Sequence, residues 1–566
     1  MKKTTILRGP LRTLCVLRVT AVVAAVRTMV TAVVVAVVGV ALMCSACNEW
    51  LNVTPDAEAL ADEQFSQESG FRDALMGIYI KLATQNLYGE NLTWRAIDIL
   101  AQQYMLSSAS MIDVALFTYD YEASVPINYI NNIWNAQYNV IANINNILRY
   151  ADRNKGVMHP IMDSVVRGEC LAIRAYCHLD LMRLYGKGNY ANRPELANQL
   201  TIPYAQDFSY LPPEQHTYKE TFELLFNDLE QALKYLEADP IKSINNRPER
   251  YYDIVSNADN NYFINAYHTS FAYAARRVRM NYYACLGLYA RALMWEGSPQ
   301  SRAKALEIAK TVTNNGSAGN SGWYQWVTLG QLSDADYLLN NGSFIYEHLW
   351  SLYINNLWEY QKANTSGSYA YKNWFCALDP GGFRNVVCLQ NTRALSLFES
   401  DAGLAALDWR YTAGLKQESA NAFAIIKYRE EDPGNGSPES YHGQKSEIYR
   451  KRMPLMRITE LFYIAAECLA DSDPAEATRY LNVVRNRRNI PSSLDLQGLT
   501  PAQVREEIAK EYMKEFIAEG QLFYYYKRLG VPYIEGYGYE MTDAQYVFPL
   551  PDNEVINGGR VPTDIN

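Results

Sequence analysis

The sequence is poor in the residues and short motifs that many enzymes and metalloproteins use. It has six histidines and nine cysteines among 566 residues, with no Cys-x-x-Cys pair and no histidines at metal-ligand spacing. The Gly-x-Ser-x-Gly elbow, the Walker loop and the His-Glu-x-x-His helix are also missing. These absences argue against a serine hydrolase, a P-loop nucleotide hydrolase and a zinc protease, and we expect neither a cofactor nor a catalytic metal.

Positive charge is scarce as well. The chain carries 52 Lys and Arg residues against 61 Asp and Glu residues, which gives a net charge of −9. A protein that binds nucleic acid needs a concentrated surface of Lys and Arg to neutralise phosphates. We therefore expect no nucleic acid among its partners.

The one long apolar run lies near the N-terminus. Residues 30–43 contain no charge, and six basic residues without an acidic one precede them. This is the charge layout of a signal peptide, and the run is shorter than the roughly 20 apolar residues that a membrane span needs. We predict that residues 1–46 are a signal peptide; the alternative is an uncleaved membrane anchor.

The end of this segment predicts lipid attachment. Ser45 and Ala46 precede Cys47 as small residues, which fits bacterial lipoprotein processing, although Cys44 stands where an aliphatic residue is usual. Cleavage before Cys47 would remove six positive charges and move the net charge from −9 to −15. We predict a mature protein acylated at Cys47.

The other cysteines give little sign of a disulfide framework. Cys170 and Cys177 lie seven residues apart in a helical pattern, so about 10 Å of helix rise separates them and rules out a bond. Cys376 and Cys388 could close a loop, or could be isolated buried thiols. The sequence leaves both possibilities open for that pair.

Helical periodicity dominates most of the chain. Apolar residues recur at helical spacing over residues 133–148 and 165–184, which predicts a long helical hairpin. Repeated hairpins predict a mostly α, tetratricopeptide-like scaffold with little strand, although the 34-residue period of such repeats is not kept. The further helices are predicted at residues 75–82, 218–236, 280–295, 303–312, 455–469, 474–488 and 504–529.

Residues 314–444 have a different character. Gly, Asn, Ser and Pro interrupt this stretch repeatedly, yet it holds six of the ten tryptophans. Loops carry recognition, and exposed aromatic side chains are costly unless something binds them. We predict an irregular insert laid over the scaffold, with short strands such as residues 344–353. Its tryptophans are Trp323, Trp326, Trp350, Trp358, Trp374 and Trp409.

Six motifs follow one another along the chain: CNEWLNVTP at residues 47–55, the helix at 168–186, RITELFYIAAE at 457–467, LNVVRNR at 481–487, the last long helix at 507–520, and FPLPDNE at 548–554. In this order they resemble the SusD/RagB family of Bacteroidetes surface lipoproteins. The chain departs from the family pattern at residues 519–528, EGQLFYYYKR, where the usual first Arg, Trp and Asp are lost. This departure indicates a divergent branch.

The resemblance implies where a ligand would bind. In the family, contacts tend to come from the mid-chain irregular region and from an N-terminal loop, here residues 91–98. Flat aromatic faces beside amides, carboxylates and guanidinium groups suit a sugar, although each aromatic taken singly is more often a packing residue. The predicted ligand-binding residues are Trp94, Arg95, Asp98, Trp323, Trp326, Trp358, Tyr371 and Trp374.

A column of carboxylates could indicate a glycosidase site. Glu507, Glu511, Glu515 and Glu519 recur at four-residue spacing, interleaved with lysines. Paired carboxylates serve glycosidases, but a column on one helix is usually a solvated, ion-paired face. We expect the solvated face and no catalysis.

The resemblance also implies a function and a division of the chain. It predicts a lipid-anchored protein of the outer membrane, facing the exterior, that captures a nutrient, most simply a glycan, and delivers it to a TonB-dependent SusC-like transporter. The alternatives are an oligopeptide-binding importer of the same type and, from another class, a surface glycoside hydrolase. The predicted regions are residues 1–46, 47–313, 314–444 and 445–566.

Overall fold

The computed structural model describes most of the chain. Residues 1–66 and residues 67–566 form two compact units. Helix α1, Asp56–Gln64, belongs to the first unit, and all elements named after it belong to the second. The described residues are 29, 56–104, 111–209, 211–242, 276–314, 324, 326–328, 332, 343–361, 388–419, 422–425, 427–428 and 451–565.

The second unit is mostly helical, as the periodicity predicts. Its helices are α2 Glu68–Leu82, α3 Ala96–Leu100, α4 Met111–Phe117, α5 Ser124–Arg153, α6 Pro160–Tyr185, α7 Tyr218–Leu236, α8 Tyr282–Glu296, α9 Pro299–Val312, α10 Leu357–Gln361, α11 Asn391–Leu397, α12 Trp409–Thr412, α13 Ile458–Leu469, α14 Pro474–Arg487, α15 Pro501–Glu515, α16 Leu522–Leu529, α17 Asp543–Tyr546 and α18 Asp552–Ile556.

The described strands form three small antiparallel sheets. One pairs β1 with β2, the second pairs β3 with β7, and the third has the order β4-β6-β5. These sheets are too small to form a core of their own, so the helices provide it. The strands are β1 Leu200–Pro203, β2 Gln215–Thr217, β3 His348–Tyr353, β4 Cys388–Gln390, β5 Leu415–Ser419, β6 Ala422–Ile425 and β7 Arg452–Arg457.

Helices α5 and α6 form the predicted hairpin. The stripe that includes Ile133, Trp134 and Ile141 is buried on α5. Helix α6 begins at Pro160, whose fixed φ suits the first helical position. Nearly all of α6 is buried, because α5 and α7 pack against it. The mostly α fold class is confirmed.

Helix α7 approaches α6 unusually closely. Its start is fixed by a capping box between Thr217 and Glu220. A Cβ added at Gly168 of α6 would lie 2.6 Å from Leu236 Cγ on α7. A glycine at this position therefore sets the distance between the two helices.

Two boundaries near the C-terminus differ from the sequence prediction. The helix expected from residue 455 begins only at Ile458, because Arg452–Arg457 forms β7 and pairs with β3. The single helix expected over residues 504–529 is two helices, α15 and α16. Between them Ala518 and Gly520 have φ of 61° and 69°, a left-handed conformation that an α-helix cannot continue through.

The buried cysteines behave as packing residues. Cys170 and Cys177 are both buried free thiols, as their spacing predicts. Burial raises the pKa of both thiols, which keeps them protonated and unreactive. Cys376 lies outside the described residues, so its pairing with Cys388 stays a prediction. In the described ranges no helix has the length and apolar character of a membrane span.

Candidate functional site

The described part of the insert is held on the scaffold by a cluster of buried ion pairs, here called the insert joint. The insert contributes residues from three separate segments, and the scaffold contributes residues from β7, from the end of α14, from α15 and from the turn after it. All of the members are buried. They are Glu347, Asp408, Arg410, Lys427, Arg457, Arg488, Glu511, Glu515 and Glu519.

Within the insert joint, Arg488 connects the insert to the scaffold. Its guanidinium group donates to both carboxylate oxygens of Glu347, at 2.8 and 2.6 Å. It also donates to both oxygens of Glu515, at 2.6 and 3.1 Å. One arginine thus links a turn of the insert to the C-terminal end of α15 through two bidentate pairs, the strongest geometry for such a contact.

Arg410 makes a second connection. It donates to Asp408 at 2.7 Å, to Glu511 at 2.7 Å and to Glu515 at 3.1 Å. Burial by itself raises the pKa of Glu511, but the positive charges of Arg410 and Lys514 outweigh it and hold the pKa at about 2. Glu511 is therefore ionised at every physiological pH.

The turn after α15 completes the joint. Glu519 accepts a hydrogen bond from Arg457 Nε at 2.9 Å and pairs with Lys427 of the insert. Arg457 also donates to the backbone oxygen of Glu515 at 2.7 Å. These contacts hold the left-handed turn in place from both sides.

The insert joint corrects the expected solvated column of carboxylates. The expected ion pairing is present, but Glu511, Glu515 and Glu519 are buried, and Glu519 lies beyond the end of α15. The pairing arginines, Arg488, Arg457 and Arg410, lie 27 to 105 residues away from these glutamates in sequence. Helix spacing alone could not reveal partners so distant.

The N-terminal loop carries the predicted ligand-binding residues Trp94, Arg95 and Asp98, and it buries all three side chains. Trp94 is 0% exposed, and its Nε1 donates to the Gly89 oxygen at 3.0 Å. Arg95 forms an ion pair with Glu90. In this conformation neither face of the Trp94 ring is open to a sugar, and the role of these three residues in binding stays a prediction.

Asp98 fixes this loop to the turn after α15. One carboxylate oxygen accepts from Gly520 N at 3.0 Å, and the other accepts from Tyr104 OH at 3.0 Å. Burial raises the pKa of Asp98 to about 7, although both hydrogen bonds act in the opposite direction. A Cβ at Gly520 would lie 2.4 Å from the Leu92 oxygen. The N-terminal loop can therefore pack against this turn only because residue 520 is glycine.

Of the predicted mid-chain residues, Trp326 is described with its side chain. It is 8% exposed, its ring centroid lies 5.2 Å from that of Phe462, and Arg488 lies 5.5 Å from it. Trp326 thus packs at the insert joint. Trp358 lies on α10, but its side chain is outside the description. Cys47, Trp323, Tyr371 and Trp374 lie outside the described residues.

The geometry of the insert joint favours a structural role for its carboxylates over a catalytic one. The carboxylates of the insert joint are engaged by arginine or lysine, so each is occupied by a structural contact. Within the described residues no group of His, Cys, Asp and Glu has the arrangement of a metal site. Sequence reasoning missed the anchoring role of Glu347, Asp408 and Lys427, which have no local pattern.

Two family models match the chain on either side of its middle. The model described as SusD family matches residues 403–559, and the model described as "Starch-binding associating with outer membrane" matches residues 49–252. The chain belongs to the SusD/RagB family. The order and position of the two matches agree with the motifs at both ends of the sequence.

A curated SusD-like relative matches this chain at low identity. The SusD-like protein P25 of Formosa agariphila is 24% identical over 164 residues, which span 28% of this chain and 31% of that protein. The match therefore covers about a third of the relative's length. This is too little to assign the activity of the whole relative to this chain.

Solved structures of SusD-like proteins share the fold. A SusD superfamily protein from Bacteroides thetaiotaomicron has a TM-score of 0.59 and 20% identity, over 86% of this chain and 97% of its own. A SusD-like carbohydrate-binding protein from Bacteroides vulgatus has 0.54 and 17%, over 82% and 83%. A laminarin-binding SusD-like protein has 0.58 and 16%, over 87% and 97%. At these identities the likeness shows the fold alone.

Proposed function

We propose that this SusD/RagB protein captures a glycan at the outer membrane and passes it to a TonB-dependent transporter. The observation that carries the proposal is the position of the two family matches, which leave residues 253–402 between them. That intervening stretch holds six of the ten tryptophans. A shared scaffold with a different aromatic segment is what a family needs in order to bind different ligands on one fold.

The insert joint supports the proposal that the scaffold positions the insert and that the insert binds the ligand. A binding surface gains affinity when it is held in its bound shape before the ligand arrives. The bidentate contacts of Arg488 to Glu347 and Glu515 hold the turn at Glu347 in the insert against α15. Trp323, Trp358, Tyr371 and Trp374 remain our proposed ligand contacts, and the boundaries at residues 314 and 444 remain a proposal with them.

A glycan is the proposed ligand class because the family evidence points that way. One family model is described as starch-binding, and one structural relative is described as laminarin-binding. The mechanism we propose is binding without covalent chemistry. The lipid on Cys47 would keep the protein beside the transporter at the outer face of the outer membrane.

The transporter partnership is tested by copurification. An affinity tag at the C-terminus of the full chain, expressed in its native host, should retain a TonB-dependent barrel after mild detergent extraction. A Cys47→Ala chain should be released from the membrane fraction and should lose the barrel. Recovery of the wild-type protein without any barrel would refute the partnership, and recovery of soluble wild-type protein would refute the lipid anchor.

A further inference from the structure

The helical scaffold carries a groove that the insert does not form. It has a volume of about 520 Å³ and lies between α5, α6, α7 and the loop at residues 206–208. Binding pockets for small ligands usually measure about 300–1,000 Å³. The groove is thus large enough for a small ligand, and all of its lining residues belong to the described chain.

The floor of the groove is built from a saturated buried ion pair. Arg174 donates to both oxygens of Asp228 at 2.7 Å, to Asn145 at 2.8 Å and to the Gln206 oxygen at 2.9 Å. Tyr204 OH also donates to Asp228, at 2.9 Å. A floor whose polar groups are already paired is rigid and has no charge left for a ligand.

The wall on the α5 and α6 side is paired as well. Arg167 donates to Asp163 at 2.9 Å and to Asp152 at 2.6 Å. The lining as a whole contains three arginines and three aspartates, so its formal charge is zero. Such a lining gives little advantage to an anion or to a cation.

The opposite wall offers what a neutral polar ligand needs. Asn227 and Gln231 project from α7 into the groove, and among the described residues neither side-chain amide is committed to a protein hydrogen bond. Phe208 and Tyr235 are half-buried aromatic rings on the rim, and the Arg149 guanidinium lies 4.6 Å from the Phe208 centroid. Free amides next to aromatic faces suit a ligand with both hydroxyl groups and C–H faces.

We infer that the groove between α5, α6 and α7 is a second binding site, which takes a short neutral oligosaccharide. The inference rests on the charge balance, the uncommitted amides and the rim aromatics of the groove. It does not depend on the role proposed for the insert.

The test uses the full chain carrying Trp323→Ala, Trp358→Ala, Tyr371→Ala and Trp374→Ala, which removes all four proposed ligand contacts of the insert. Calorimetric titration with maltotetraose and laminaritetraose should show binding of at least one of them. A tetragalacturonate, a chitosan tetramer and a neutral tetrapeptide should bind at least tenfold more weakly. Adding Gln231→Trp, which places a bulky ring in the groove, should reduce the affinity at least tenfold.

The matched control is Glu223→Trp, which lies about two helical turns before Gln231 on α7 and is exposed to solvent. It should leave both affinity and melting temperature unchanged. The inference is overturned if neither sugar binds this background, if a charged sugar or the peptide binds best, or if Gln231→Trp binds like Glu223→Trp. A second variant, Asn227→Ala with Phe208→Ala, should also lose at least tenfold, which guards against a local folding fault in Gln231→Trp.

Discussion

Two clusters of buried ion pairs use the same chemistry to connect different parts of the molecule. The insert joint ties residues of the insert to β7, α14 and α15. A second cluster, here called the hairpin joint, ties α6 to α7 and to the segment before α8. Its contacts join Arg174 to Asp228, Arg276 to Glu169 and Asp239, and Arg279 to Glu169.

The structural consequence of a buried ion pair depends more on its position in the fold than on the residue types that form it. A buried pair often contributes little net stability relative to apolar residues, but removal of one partner leaves an uncompensated charge. The hairpin joint fixes the spacing of helices, and the insert joint adds buried ion pairs to a segment that also pairs with the scaffold through β3 and β7. Breaking each joint should therefore have different consequences.

The largest effect should come from Arg488→Met. The variant leaves Glu347 and Glu515 buried without their shared cation, and we expect a loss of about 3–5 kcal/mol in the free energy of unfolding, measured in urea. Limited proteolysis should also become faster within the insert. Arg487→Met is the matched control, because Arg487 is the exposed neighbour and should change stability by less than about 0.5 kcal/mol. If Arg488→Met and Arg487→Met were equally stable, this would contradict the proposal that the insert joint anchors the insert.

The next effect concerns acid stability. Because the pKa of Glu511 is lowered from 4.5 to about 2 in the folded protein, its contribution is complete above pH 4.5 and is lost as the pH falls through 2. Glu511→Gln should be less stable than wild type at pH 7 by about 3 kcal/mol. The difference should shrink as the pH approaches 2, in urea titrations at each pH. A constant difference would contradict the assignment.

Asp98 should behave in the opposite sense. Its pKa is raised from 3.8 to about 7 in the folded protein, so the stability it contributes is complete below pH 3.8 and is lost as the pH rises through 7. From pH 5 to pH 8 the wild type should lose about 2 kcal/mol more than Asp98→Asn. Melting temperatures at both values provide the measurement, and parallel losses in the two proteins would show that Asp98 is ionised throughout.

The smallest effects test the spacing between α6 and α7. Gly168→Ala places a Cβ 2.6 Å from Leu236 and should cost about 1–2 kcal/mol. Gly77→Ala on α2 is the matched control, since an added Cβ there meets nothing within 4 Å. It should stabilise by about 0.5–1 kcal/mol because alanine favours helix over glycine. Thermal melts of both variants are sufficient, and a Gly168→Ala protein as stable as Gly77→Ala would contradict the close packing.

The sequence predicted the helices well because their signal is local. The apolar stripes of α5 and α6 and the Pro and capping residues at helix starts are all visible within one segment. β7 was missed because its partner β3 lies about 100 residues earlier. The break between α15 and α16 was missed although Gly520 marks it, because the flanking residues keep a helical pattern.

The candidate site was less accessible to sequence reasoning. Sequence reasoning placed Trp94, Arg95 and Asp98 in one loop, but Asp98 is held by the turn at Gly520, which is 422 residues away in the chain. The burial of Glu511 and Glu515 likewise depends on distant arginines. Composition reveals that such residues are present, and only tertiary packing determines which of them face solvent.

The most direct test of the central claim is glycan binding by the insert itself. The experiment uses the full chain with Gln231→Trp, so that the groove does not contribute, and titrates it with laminaritetraose and maltotetraose. Our account predicts binding that falls at least tenfold when Trp323→Ala and Trp374→Ala are added, with an unchanged melting temperature. Tyr533→Ala, which removes an exposed aromatic ring outside the insert, should bind like its parent. Binding that survives both tryptophan substitutions, or no binding of either sugar to the parent, would contradict the account.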